Sequence, residues 1–388
     1  MYGVNEQSGI GPWIGNRVAW RSDAARGLQA PIFSLPFSDA GSGVATIVPY
    51  VAAGSSTPTF TANSTRYTRL SSGLWGLVSA NQPRSMYSAA GVYLGYWAEG
   101  ARADVLGTTD AIRRDMSDAG WVVSNMTKGT TTGIDGTASA AATMTATAGN
   151  ATVLFTTVLG AAVRTFSAWV SRVTGTGTVN ITGDNGSTWT PIVLTATPTQ
   201  FQFTTASAAN PVVGFRVVTS GDAIKVDFNT LEQTTFANPT PIPVNVSKAA
   251  DVLTFPAAGN ISASVGSIYL ELMMENNAGQ MDMVDSNGTT IFYHSGDNFL
   301  SLFDGAERKG ATFTVNSAVR KAATNYGDVT CKTFLDGTAS SSLTFDGGLS
   351  IVSTLGFSRS GASIWGALKN VRIYGQKLPD SVLQAMTT

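Results

Sequence analysis

Charge is scarce in this sequence: Asp, Glu, Lys and Arg together make up 13% of its 388 residues. Lys and Arg number 24 against 25 Asp and Glu, and the basic residues form no stripe. Without a field of one sign to hold a phosphate backbone or an anionic bilayer, neither nucleic acid nor a membrane surface is an expected partner. Long apolar runs are missing too. No stretch approaches the roughly 18 residues that a spanning helix needs, so membrane insertion is not expected. The opening MYGVNEQSGIGPW has neither a basic start nor an apolar run, which predicts no secretory signal.

Cysteine and histidine are nearly absent. Cys331 alone cannot close an internal disulfide, so the fold must rest on its core and on partner chains. Its setting, DVTCKTFLDG, alternates like a strand and predicts a buried or half-buried thiol. With His294 as the single histidine, a His/Cys metal cluster is excluded by count, and a catalytic thiol lacks its usual base. No cofactor is expected, although calcium stays open. Asp282, Asp285, Asp297 and Asp304 fall in one region and offer oxygen ligands, with metal-free surface carboxylates as the alternative.

What the chain has in abundance is Gly (41 residues), Ser and Thr, together with short alternating apolar stretches. These features predict an all-β protein rather than a helical bundle. In RTFSAWVSRV, Phe166, Ala168 and Val170 share one face. VVGFRVV places Val213, Phe215 and Val217 together, and AIKVDFN does the same for Ile224, Val226 and Phe228. In SIYLELMME, Ile268, Leu270, Leu272 and Met274 point inward, with Tyr269, Glu271, Met273 and Glu275 outward. Such half-buried alternation between GTGT, GDNGS and SGD turns is the pattern of antiparallel sandwiches. The chain divides into an extended N-terminal arm (1–102), a sandwich (103–238), a proline-rich linker (239–249) and a second sandwich (250–388). Within the arm, residues 80–102 gather Tyr87, Tyr93, Tyr96 and Trp97. These rings read as a docking surface for a neighbouring module or subunit, ahead of a ligand cage. At the C-terminus, KNVRIY puts Val371 and Ile373 on a core face. Pro379 and Asp380 then suit a helix start, and Leu378, Val382 and Met386 line one helical face.

KTFLDGT (332–338) and STLGFSRSGASIWGALKNVRIYGQKLPDSVLQAM (353–386) resemble the closing hairpins of concanavalin A-like, laminin-G-type jelly rolls. Gly366, Asn370, Val371, Arg372, Ile373, Tyr374 and Leu378 match, while Pro379 replaces the usual capping hydroxyl. That resemblance makes the C-terminal helix a structural latch over an open end or edge of the last sandwich. Trp365, inside the same pattern, becomes a packing residue. Residues 103–238 resemble a carbohydrate-binding-module-like sandwich. The match rests on Trp121, Asp135-Gly136-Thr137-Ala138, the strand Phe166 to Val170 and the exit NTLEQTTF. The module order is similar to that of tailed-bacteriophage fibre and minor virion proteins.

The resemblance implies a virion structural protein assembled in the bacterial host cytoplasm, with residues 1–102 as its attachment region. It implies contact with other capsid or tail proteins, self-association with homotrimers common in the family, and a head or tail fibre touching host-surface glycans. A ligand-free capsid decoration, cement, collar or baseplate component is the alternative. Sugar recognition needs an aromatic ring beside Asp or Asn, because sugars present an apolar face and a belt of hydroxyls. Two loops carry that set: Asp184, Asn185 and Trp189 in GDNGSTWT, and Tyr293, His294, Asp297 and Asn298 in FYHSGDN. Each also reads as an ordinary turn. A glycan depolymerase is the lesser alternative. In a regular strand Glu271 and Glu275 stand roughly 13 Å apart, beyond the about 5–9.5 Å that a hydrolytic carboxylate pair spans. The chain is therefore expected not to be an enzyme.

Overall fold

The computed structural model describes residues 31–39, 42–47, 49–51, 57–244, 247–274, 281–286, 289–295, 299–304, 308–312, 319–346, 348–351, 353–357 and 365–388. Their regular structure is nearly all strand, paired in antiparallel sheets as the alternation predicts. The helices among them are Asp110–Arg113 and Asp380–Thr387, and no helix of the described residues is long and apolar enough to cross a membrane.

One sandwich comprises two five-stranded sheets. The first runs Met126–Thr131, Ala141–Ala146, Ala223–Glu232, Ala162–Thr174, Thr199–Ala208. The second runs Thr190–Ile192, Val179–Thr182, Val212–Val217, Ala151–Thr156, Trp121–Ser124. Phe166, Ala168 and Val170 meet Val213, Phe215 and Val217 in a shared core, with the rings of Phe166 and Phe215 5.6 Å apart. Each of the Val and Phe side chains contributes about 1.5–3 kcal/mol of burial.

The face expected for Ile224, Val226 and Phe228 breaks at its last member. The register between Ala162–Thr174 and Ala223–Glu232 shifts between Ser167 and Trp169, and Phe228 takes a left-handed φ of 48°. This bulge turns Phe228 away from Ile224 and Val226 into a separate cluster with Tyr67, Trp75, Trp97 and Trp169. A left-handed Phe costs on the order of 1–3 kcal/mol. Burial of the ring offsets that cost, as do the bonds of the adjoining Asp227, whose carboxylate accepts from Arg114 Nε and from the amides of Ile134 and Phe228, each at 2.9 Å.

The second sandwich has a sheet whose central strands run Phe33–Ser38, Trp365–Tyr374, Gly266–Met274, Val319–Gly327, Thr330–Leu335. Facing it is a sheet ordered Arg308–Thr312, Phe299–Phe303, Thr289–Ser295, Met281–Ser286, Thr354–Gly356, Val252–Pro256, Thr59–Thr61. Both contribute to one core, including Leu35, Leu270, Val371, Phe255, Phe292 and Leu302. Val371 and Ile373 lie inside as expected. Cys331 is buried, and burial pushes its thiol up to about 11.

The boundary at residue 102 needs correction. Described strands of the expected arm belong to the second sandwich: Leu35 pairs opposite Val371, Phe60 opposite Leu253, and Trp97 opposite Ala367. The reason is the alternation in FSLPFS, whose Phe33, Leu35 and Phe37 are apolar enough to enter that core. The proline-rich stretch expected as a linker packs against the fold. Thr240 and Ile242 are buried, and Arg113 clamps the chain by donating to the carbonyls of Ile242 (2.9 Å) and Pro243 (3.1 Å). The C-terminal helix lies against a sheet face rather than an end or edge. Leu378, Leu383 and Met386 cover Tyr269, Ala323, Phe334 and Tyr374, so the expected outward Tyr269 is buried. Asp380 in its first turn accepts from Asn325 Nδ2 and Lys332 Nζ.

Candidate functional site

A cleft of about 470 Å³ opens where the two sandwiches and the N-terminal hairpins meet. Its size falls in the range of small-molecule sites. Three elements supply tryptophans: Trp75 from the hairpin Arg66–Arg69/Trp75–Val78, Trp97 from Tyr93–Glu99, and Trp169 from Ala162–Thr174. Trp169 reaches the cleft because it alternates with Ala168 and Val170, which face the sandwich core. Tyr96 and Trp97 divide in the same way, the first into the second sandwich and the second to the cleft wall.

The aromatic wall is fixed by its own contacts. Trp75 and Trp169 meet edge to face at 5.1 Å, and the Arg69 guanidinium lies 4.7 Å from the Trp75 ring and 5.4 Å from the Trp169 ring. Such cation–π contacts contribute about 0.5–2 kcal/mol each. Gln200, paired directly with Trp169 on the neighbouring strand, lines the cleft beside it, with Nε2 donating to the Asn238 carbonyl at 2.6 Å. Trp97 Nε1 and Trp169 Nε1 are buried at this wall with no hydrogen-bond partner among the described residues. Tyr87 completes the rim; burial and the Asp39 carboxylate push its phenol up.

Behind Trp97, an ionic cluster holds the cleft's strand. Glu99 accepts from Arg84 at 2.8 Å, from Lys248 and from Thr240 Oγ1 at 2.9 Å. Asp251 accepts from Arg84 at 2.5 Å and from Arg66. Burial works against ionisation of Glu99, yet Lys248 and Arg84 outweigh it and hold the carboxyl at about 2. Burial pushes Lys248 down to about 8.

The sugar-binding loops expected from sequence lie elsewhere. Asp184 closes its own turn, accepting from Thr182 Oγ1 at 2.8 Å and the Thr188 amide at 2.9 Å, bonds that help hold its carboxyl below the ordinary range against desolvation. Trp189 is half-buried, with the Arg216 guanidinium 4.7 Å from its ring. Asn185 is exposed and lines a separate cleft of about 510 Å³ with Asp184 and Asn210. Tyr293 belongs to the other sandwich and is buried, because its strand Thr289–Ser295 sits inside the seven-stranded sheet; this corrects the expectation of an accessible ring. The side chain of His294 lies outside the described residues, as do Asp297 and Asn298. Trp365 opens the last strand, with its side chain outside the described set.

Of the calcium candidates, Asp285 and Asp304 are buried, Asp304 lies 3.5 Å from Lys309 Nζ, and the side chain of Asp282 is outside the described residues. No group of three or more metal-ligating His, Cys, Asp or Glu occurs among the described residues. Glu271 pairs with Lys369 at 3.0 Å, and Glu275 lies outside the described residues.

No protein-family model matches the sequence, and no curated protein matches it. Structural neighbours include a mutant of Trypanosoma rangeli sialidase displaying trans-sialidase activity, at 12% identity and TM-score 0.29. That match takes in 34% of this chain and 25% of the sialidase, so the chain spans about a quarter of that protein's length. Trypanosoma rangeli sialidase also aligns at 8% identity and TM-score 0.28, over 91% of this chain and 65% of that one. The tandem CBM22 domain of Paenibacillus barcinonensis Xyn10C aligns at 11% identity and TM-score 0.26, over 71% and 100%. At these TM-scores the likenesses carry no inference about function.

Proposed function

We propose that this chain is a glycan-binding structural protein of a bacteriophage virion, carried on a head or tail fibre and self-associated there. The observation that carries the binding part is the cleft walled by Trp75, Trp97 and Trp169 with Arg69 and Gln200. Indole rings suit the apolar face of a sugar, and the polar groups between them suit its hydroxyls. Binding is favoured over hydrolysis because no Asp or Glu lines this cleft among the described residues, whereas most glycosidases need a carboxylate pair. The virion assignment is supported by the jelly-roll and fibre-like motifs of the sequence.

Glycan binding is tested by titrating glycans while following tryptophan emission, with Trp169→Ala as the control. Saturable quenching that Trp169→Ala abolishes supports the reading; no response to any glycan of a broad array refutes it. Electron cryo-microscopy of particles tests the placement. A projecting oligomer supports a fibre, and a chain flattened between capsid subunits replaces it with a cement. Light scattering showing a strict monomer at micromolar concentration, and a single copy in the particle, counts against self-association.

A further inference from the structure

We propose that Glu232 is a proton-operated anchor for the strap of residues 233–239 beside the tryptophan cleft: neutral, it seats the strap against the fold, and ionised, it loosens it. The consequence for a ligand rests on the glycan-binding reading; the movement of the strap does not. Glu232 ends the strand Ala223–Glu232 and is 1% exposed. Its Oε1 accepts from the Asn238 amide at 2.8 Å. The carbonyl of Asn238 accepts in turn from Gln200 Nε2, and the next residue, Pro239, lines the cleft together with Gln200. One residue therefore connects a buried carboxyl to the cleft wall. The strap carries no strand pairing of its own, and beyond it Thr240 is tied to Glu99.

The surroundings of Glu232 suit a neutral acid better than a carboxylate. An ionised carboxylate has about four lone-pair sites to fill, but Glu232 Oε2 is buried without a hydrogen-bond partner among the described residues, and Arg102 Nε stands 3.7 Å from it. The other charges that face it are committed elsewhere: Lys248 to Glu99, and Arg113 of the helix Asp110–Arg113 to Asp104 at 2.5 Å. Asp104, whose backbone bridges that of Glu232, adds repulsion. Burial outweighs the Asn238 amide, Arg102 and Lys248 and pushes the carboxyl up to about 7 from an ordinary 4.5. A raised value means that folding favours the protonated form, so its contribution is complete below pH 4.5 and lost as pH rises through 7. Above that pH the carboxylate gains hydration if the strap opens.

The test is amide hydrogen exchange of residues 233–239 in the full, ligand-free chain from pH 5.5 to 8.5, expressed as protection relative to intrinsic rates. Protection should fall about thirtyfold over that range, most of it below pH 7, if opening restores the ordinary carboxyl. In Glu232→Gln, whose amide oxygen still accepts from Asn238 and which carries no charge, protection should stay level. A flat profile in the unsubstituted chain overturns the proposal, as does a fall that Glu232→Gln retains or one confined to pH above 8, which would trace to Lys248. If Glu232→Gln loses its circular dichroism signature, the profile of the unsubstituted chain still decides by whether it falls below pH 7 and levels above it. On a glycan array, the unsubstituted chain should bind more tightly at pH 5.5 than at 8.5, and Glu232→Gln equally at both. A bound glycan whose affinity ignores pH overturns the regulation and leaves glycan binding standing. Failure of every glycan at both pH values overturns the binding reading, and the exchange profile then decides the strap by itself.

Discussion

Replacing Glu99 with Gln tests whether the ionic cluster behind the cleft holds the fold together. Glu99 is 1% exposed and joins three segments: Arg84 from the preceding strand, and Thr240 and Lys248 from the stretch between the sandwiches. Removing one partner of a buried ion pair costs about 3–5 kcal/mol, because the other charge stays in low dielectric. The lower end applies, since Arg84 keeps Asp251 at 2.5 Å and the Tyr67 carbonyl at 2.7 Å, and the amide oxygen of Gln still accepts one bond. A loss of about 3 kcal/mol is roughly a hundredfold in the unfolding equilibrium. Urea denaturation followed by tryptophan fluorescence reads it directly. The double variant Glu99→Gln/Lys248→Met, which removes both charges, should recover part of the loss. A single-variant loss below about 1 kcal/mol, or no recovery in the double variant, refutes the reasoning.

The same carboxylate sets a pH dependence. With its folded value at about 2 against an ordinary 4.5, Glu99 contributes stability that is present above pH 4.5 and lost as pH falls towards 2. The full contribution is about 3 kcal/mol, and denaturation at pH 5 and pH 3 should show an acid loss that Glu99→Gln lacks. Phe166→Ala empties the centre of the first sandwich against Phe215 and should cost about 3–5 kcal/mol in the same assay; a cost under 1 kcal/mol would mean that the core is not packed there. Gly95→Ala should destabilise by more than about 1 kcal/mol, because Gly95 has φ 132° and an added Cβ would stand 2.3 Å from the Leu368 carbonyl oxygen. Unchanged thermal melting of that variant would show that the two strands can move apart.

The sandwich faces were legible because burial on one side of a strand imposes a period of two. Phe166, Ala168 and Val170 obey it, as do Val213, Phe215 and Val217. Phe228 was not legible: the bulge beside Trp169 depends on a partner strand far away in sequence. The first strand of the expected arm carried a signal in FSLPFS, but its partner Trp365–Tyr374 lies more than 300 residues on, where no local pattern points. The cleft was partly legible. Residues 80–102 were visibly rich in aromatics, and Trp169 stood opposite a core face, which for so large an apolar side chain signals a second buried surface. That these stretches converge with Trp75 and Gln200 is a tertiary fact.

Position along a single strand links the cleft to its support. In Tyr93–Glu99, Tyr96 enters the second sandwich's core, Trp97 forms cleft wall and Glu99 anchors the ionic cluster. Three kinds of contact therefore fix one backbone segment, and Trp97 cannot shift without disturbing all of them. A wall held in this way would meet the proposed glycan already ordered, so binding would not have to supply the entropy of fixing those side chains. On the proposed reading, Glu99→Gln should weaken glycan affinity even where the chain is still folded, although Glu99 does not line the cleft. A Glu99→Gln chain that keeps full affinity while losing stability would separate the two roles and make the aromatic contacts alone responsible for placing Trp97.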